Sequence, residues 1–168
     1  MPSERLIDAL NEQIGREYAA AHQYVAIASY YDVATYPNLA RLFNEQAEEE
    51  REHAAKMVGY LIDSGATPKL AEIAAPRDRF DDHVEPINLA LEQERSNTVA
   101  INKLFDIARE TRDHASEVFL HWFINEQVEE ESRMESLLEV AERVRDFPMM
   151  LDEFVYREGD KLGEAETD

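Results

Sequence analysis

Apolar residues recur at helical spacing through four long segments of this chain, and no segment sustains a period of two. The first runs from about Ser3 to Ala34. The second opens at Tyr36-Pro37-Asn38, with the proline suited to a first helical turn, and ends at Gly65. A third extends from Glu85-Pro86 to about Arg112, and a fourth from about Ala115 to Arg145. Asp146-Phe147-Pro148 then restarts a short amphipathic helix, about 147–157, ahead of a polar tail at 159–168 that is expected to fray. A few residues near Thr35 join the first segment to the second, and a few near Asp113 join the third to the fourth, so each pair is an antiparallel hairpin. Between the hairpins, from Gly65 to His83, lie roughly 20 residues broken by Pro68 and Pro76. Extended, such a stretch reaches about 60 Å, more than the ~40 Å length of the second helix. Helices two and three can therefore run parallel. The predicted fold is all-α: a single domain over 1–168, comprising a four-helix bundle (about 3–145) with one long crossover and a short fifth C-terminal helix.

Residues facing a bundle axis should be apolar. Projected at ~100° per residue, the first helix presents Leu10, Ile14, Glu17, Ala21, Tyr24 and Ala28 on one stripe. The second presents Phe43, Gln46, Glu50, His53 and Met57, the third Leu91, Glu94, Thr98 and Ile101, and the fourth Phe123, Gln127, Glu130 and Met134. Every helix thus carries an ionisable residue near its middle on an otherwise apolar stripe, and all can share one layer. A carboxylate buried without a partner costs many kcal/mol or takes up a proton, and four in one layer also repel. No Lys or Arg lies on these stripes to neutralise them. Bound metal is the remaining solution: Glu17, Glu50, Glu94 and Glu130 bring four negative charges, and two divalent ions cancel them. Oxygen donors with one imidazole suit iron or manganese, with zinc as a competitor. Glu50-Arg51-Glu52-His53 has the i, i+3 spacing that puts two donors on one helix face. It is the single Glu-x-x-His at this layer, so the centre is expected to be asymmetric.

Composition agrees. Against 17 Lys and Arg stand 37 Asp and Glu, a formal net charge of −20, which disfavours nucleic acid and anionic membranes and favours cations. With no cysteine, disulfides, thiolate metal sites and cysteine nucleophiles are excluded. No signal-peptide pattern opens the chain, and the apolar-leaning stretch from Tyr24 to Tyr31 is too short to span a bilayer. A soluble, cytoplasmic protein is expected.

At this level the sequence resembles the non-haem bacterial ferritins, over essentially its whole length. The resemblance rests on Glu17 with Tyr24, on Gln46-Ala47-Glu48-Glu49-Glu50-Arg51-Glu52-His53-Ala54, on Gln93-Glu94, and on Trp122-Phe123-Ile124-Asn125-Glu126-Gln127-Val128-Glu129-Glu130. It implies the ferritin-like bundle, ferroxidase activity toward Fe(II) with dioxygen or peroxide, and storage of ferric mineral in a homo-oligomeric shell of 24 subunits. By that resemblance one iron takes Glu17, Glu50 and His53, the second takes Glu94 and Glu130, and Glu50 bridges. Gln127 would position dioxygen or water nearby, and Glu49, Glu126 and Glu129, partly with Glu130, would form a third iron site. For these three the alternative is a solvated acidic face. Tyr24 reads either as a core tyrosine or as an electron donor beside the iron, and Trp122 either as core or as a further donor.

Haem is not expected. The related bacterioferritins carry a second Glu-x-x-His on helix four and a haem-binding Met just after the helix-two Glu; here Arg133 and Arg51 stand at those positions. Glu45, Glu48, Glu49 and Glu52 are candidates for an acidic inner surface. His114, Glu117 and His121 are candidates for an iron channel, and Met150, Leu151, Phe154 and Val155 for a self-association face of the last helix. A redox partner for iron release is left open. Of two rival readings, a di-metal oxidase or peroxidase that stores no iron shares every ligand but not the shell, and a non-catalytic acidic scaffold predicts no metal uptake.

Overall fold

The computed structural model describes residues 1–162. Five helices appear in the expected order: α1 (Glu4–Val33), α2 (Pro37–Asp63), α3 (Glu85–Glu110), α4 (His114–Arg143) and α5 (Pro148–Glu158), with no strand among the described residues. The Ser3 hydroxyl caps α1 by accepting from the Leu6 amide at 3.3 Å, and the Asp113 carboxylate caps α4 by accepting from the Ser116 amide at 3.1 Å.

The first three helices stop in the same way. In each, the residue after the C-cap is left-handed, and two backbone amides turn back to the last carbonyls. Tyr36 donates to the Tyr31 carbonyl at 2.9 Å, Ala66 to Leu61 at 2.8 Å and Asp113 to Ala108 at 2.9 Å. The left-handed residues are Gly65 (φ 81°), Thr35 (φ 66°) and Arg112 (φ 55°). Glycine adopts this conformation freely; threonine and arginine are strained in it, and the hairpin packing holds them there.

The crossover runs the length of α1. Asn11 accepts from the Lys69 amide at 2.8 Å, Gln23 exchanges two hydrogen bonds with the Arg77 backbone at 2.7 and 2.9 Å, and the Tyr31 hydroxyl donates to the His83 carbonyl at 2.5 Å. From Asn11 to Tyr31 the helix rises about 30 Å, so the connection delivers α3 to the far end of the bundle.

Two apolar clusters fill the interior. One contains Leu6, Leu10, Ile14, Met57, Leu61, Ile101 and Phe123. The other contains Tyr24, Ile27, Leu39, Phe43, Leu91, Met134 and Leu137, together with Leu151 and Val155 of α5. The short helix is thus built into the bundle, and this corrects the expectation of a self-association face made of Met150, Leu151, Phe154 and Val155: Leu151 and Val155 are core and Phe154 packs against it, while Met149, Met150 and Tyr156, with Phe147 just before the helix, are exposed. Asp152 ties α5 to the start of α2, where the N-cap residue Tyr36 makes no side-chain cap. Its buried carboxylate accepts from the amides of Asn38 and Leu39 at 3.0 and 2.9 Å and from the Asn38 side chain at 2.8 Å. The tail expected to fray begins in order instead: Gly159–Lys161 form a 3-10 turn and Leu162 is buried. The remainder of that tail, 163–168, lies outside the described residues.

Candidate metal centre

A polar layer separates the two apolar clusters. Glu17 comes from α1, Glu50 and His53 from α2, Glu94 from α3 and Glu130 from α4, and none exposes more than 3 % of its surface. Each lies mid-helix, where backbone groups are already paired, so only side chains or a ligand can satisfy it.

Glu17 is the best supported. Gln13 donates to its Oε1 at 2.7 Å and Asn97 reaches both oxygens at 3.3 and 3.4 Å. Burial raises its pKa, but the bonds from His53, Glu50 and Gln13 outweigh burial and leave it below the ordinary carboxylate range. Glu50 is the opposite case. Both its oxygens are buried and neither makes a hydrogen bond. Burial first, and then the charges of Glu94, Glu17 and Glu130, push its pKa well up. Without metal, that shift favours the protonated form of Glu50 beside Glu17, whose pKa is lowered. His53 turns Nδ1 toward both, 3.3 Å from Glu50 Oε2 and 3.8 Å from Glu17 Oε2.

Across the layer, Glu94 accepts the Tyr24 hydroxyl on Oε1 and the Gln127 amide on Oε2 at 3.3 Å. Burial still leaves its pKa raised. Glu130 accepts from Gln46 at 2.8 Å on Oε2, while its Oε1 has no partner. Burial and the Glu94 charge drive its pKa well up. Tyr24 is fully buried between Glu94 and the ring of Phe43, 5.8 Å away, so packing and a hydrogen bond to the layer coexist in one residue.

Two groups of donors could each hold a cation: Glu17, Glu50 and His53, and His53, Glu126 and Glu130, the donor atoms of each lying within 4.8 Å of one another. Glu49, Glu126 and Glu129 are not brought into a single group among the described residues. Glu126 faces His53 Nε2 at 4.0 Å, Glu129 is exposed, and Glu49 is engaged by Arg133 at 3.1 Å. That arginine corrects the expectation that no basic residue reaches the layer. Its Nη1 lies 3.6 Å from Glu130 Oε2. Helical projection places its Cβ off the inner stripe, but a long side chain swings back. Trp122 is likewise not core: it is 41 % exposed, stands edge-on to His53 at 5.4 Å and carries Lys56 over its ring at 4.4 Å. On the acidic face, Arg41 approaches Glu45 at 3.6 Å and Arg51 pairs with Glu48, so part of that charge is neutralised within the chain. His114 and Glu117 approach at 3.5 Å, and Glu117 and His121 line an open groove beside Trp122.

Sequence reasoning assigned no role to Gln13 or Asn97, and none to Gln46 beyond its place on the stripe. A signal was present: Gln13 and Gln46 stand four residues before Glu17 and Glu50, and Asn97 three after Glu94, where polar side chains share the carboxylate's face.

Four helices with a crossover, closing on a buried layer of four carboxylates and a histidine, define the class of carboxylate-type metal-binding bundles. Comparisons narrow the class. A profile for the ferritin-like domain matches residues 7–144, and the chain belongs to the ferritin family. It is 40 % identical over 146 residues to a bacterial non-heme ferritin of Staphylococcus aureus (strain USA300), covering 87 % of this chain and 88 % of the relative. Its counterpart in Staphylococcus epidermidis is 42 % identical over the same length, with the same coverage. An open pore ferritin of the hyperthermophilic archaeon Archaeoglobus fulgidus superposes with a TM-score of 0.88 at 29 % identity, covering 92 % of this chain and 97 % of the other. Among the described residues no helix is long and apolar enough to cross a membrane.

Proposed function

We propose that this protein stores iron and oxidises it on the way in, as a ferroxidase. Fe(II) is the substrate, dioxygen or peroxide the oxidant, and the layer described above the reaction site. Glu17, Glu50 and His53 take one Fe(II), and Glu94 and Glu130 take the second, with Glu50 shared. The observation that carries this reading is Glu50 itself: a carboxylate at the centre of three others, both oxygens buried and without a hydrogen bond. Its position suits a ligand to two cations and suits little else.

With dioxygen as oxidant, each Fe(II) gives one electron, and the oxidant takes two electrons and two protons and leaves as hydrogen peroxide. Delivering the pair together avoids releasing superoxide. Glu50 and Glu130 exchange their protons for metal, so Fe(II) binding strengthens as pH rises. Gln13 and Asn97 keep Glu17 ionised and aimed. Gln127, which donates to Glu94 and to Thr98 at 3.2 Å, orients the second ligand and offers its amide to an oxidant. Tyr24 stands one hydrogen bond from Glu94, near enough to supply an electron. The acidic faces draw cations toward the site, and the ferric product passes to a mineral inside a shell of 24 copies. No haem takes part.

Stopped-flow absorbance after aerobic Fe(II) addition tests this proposal. Glu50→Ala and His53→Ala are expected to lose rapid oxidation while eluting at the wild-type size. Wild-type rates in both variants would overturn the site assignment, and elution of the wild type near one or two chains would overturn the shell.

A further inference from the structure

Arg133 has a surrounding unlike that of any other arginine in the chain. Its Nη1 donates to Gln46 Oε1 and to Glu49 Oε2 at 3.1 Å and stands 3.6 Å from Glu130 Oε2, while its Nε donates to the Leu162 carbonyl at 3.1 Å. The side chain is only 19 % exposed and is held from both ends. It lines a cleft of about 180 Å³ together with Glu45, Glu49 and Asp160, so the guanidinium stands between an acidic opening and Glu130.

The charges balance around it. Two divalent ions cancel Glu17, Glu50, Glu94 and Glu130, and Arg133 cancels Glu49. A third divalent ion at the His53, Glu126 and Glu130 donors would have to share His53 and Glu130 with the first two and would meet a fixed positive charge with only Glu126 left to offset it. Without the guanidinium, Glu49 and Glu126 together match one further divalent ion.

We propose that Arg133 is a built-in cation standing where a third metal ion would bind, so that each chain holds two iron ions at this centre and no more. The inference rests on the two-iron reading of the layer. It assigns Glu49 to an ion pair rather than to iron. The hydrogen bond from Nε to Leu162 makes the C-terminal turn the support that keeps the guanidinium in place.

Crystals soaked anaerobically in Fe(II), with anomalous maps at the iron edge, test it by counting sites rather than by activity. The wild type and Arg133→Lys should each show two peaks per chain, and Arg133→Leu a third peak among Glu49, Glu126 and Glu130. Arg133→Gln, which keeps a polar partner for Gln46 without the charge, gives the same three peaks if the leucine variant does not assemble. A third peak in the wild type overturns the proposal, as do only two peaks in the uncharged variants. An empty layer in the wild type overturns both this inference and the two-iron reading, whereas two peaks in every variant overturns this inference alone.

Discussion

Replacing Glu50 by glutamine keeps the shape of the side chain, leaves an amide that can donate to Glu17, and removes one titrating group from the layer. The effect appears in the pH dependence of the metal-free fold. Burial, then Glu94, Glu17 and Glu130, hold the Glu50 pKa well above the usual range, whereas in the unfolded chain a glutamate titrates near ~4.3. A carboxyl of this kind keeps a proton in the fold that it loses on unfolding. Its contribution therefore favours the fold at low pH and is lost as pH rises from the unfolded value toward the folded one. Each retained proton gives a slope of about −1.4 kcal/mol per pH unit. Glu50 and Glu130 are the two buried carboxyls held well above range. Together they set a limiting slope of about −2.7 kcal/mol per unit, to which Glu94 adds at the acid end. Glu17, whose pKa is lowered, loses its stabilising contribution only as pH falls through that lowered value, below this window. As pH rises from the unfolded value toward the raised folded ones, the wild type should thus lose stability about twice as steeply as Glu50→Gln. Urea unfolding of chelator-treated protein, followed by far-ultraviolet circular dichroism at one chain concentration, measures both slopes. Equal slopes in the two proteins, or wild-type stability that rises across the window, would refute the account of the layer as proton-loaded carboxyls.

Two further substitutions probe neighbouring parts. Tyr24→Phe withdraws the hydroxyl donated to Glu94, so Glu94 holds its proton more tightly and the second metal binds about tenfold more weakly near pH 6, less so in alkali. Zinc titration by calorimetry reads this, and an unchanged second affinity would count against it. Asp152→Ala removes three bonds that close the start of α2. It should cost about 1–3 kcal/mol and lower the melting temperature by several degrees. A melting temperature within a degree of wild type would show that α5 docks without this tie.

Helix spans were legible because long amphipathic periodicity survives any packing detail, and the ends slipped only where backbone conformation decided them. The third helix stops at Glu110 rather than near Arg112 because Arg112 turns left-handed to close the hairpin, and no residue type announces that. The ligand layer was legible for a different reason. A charged residue on an apolar stripe contradicts the pattern around it, and four contradictions at one depth have few physical resolutions. Arg133 escaped because a 100° projection gives the direction of Cβ, not the end of a long flexible side chain.

From its sequence alone this chain was bound to form four long helices, a crossover reaching from one end of the bundle to the other, and a layer of acids in want of cations. Those follow from local spacing and from the cost of burying charge, which hold wherever the helices meet. Only the tertiary structure decided which acids have their pKa raised and which lowered, that Gln13 and Asn97 serve Glu17, that α5 belongs to the core and that an arginine stands beside Glu130. Each of these depends on contacts of a few ångströms between residues far apart in the chain, and no local pattern records them.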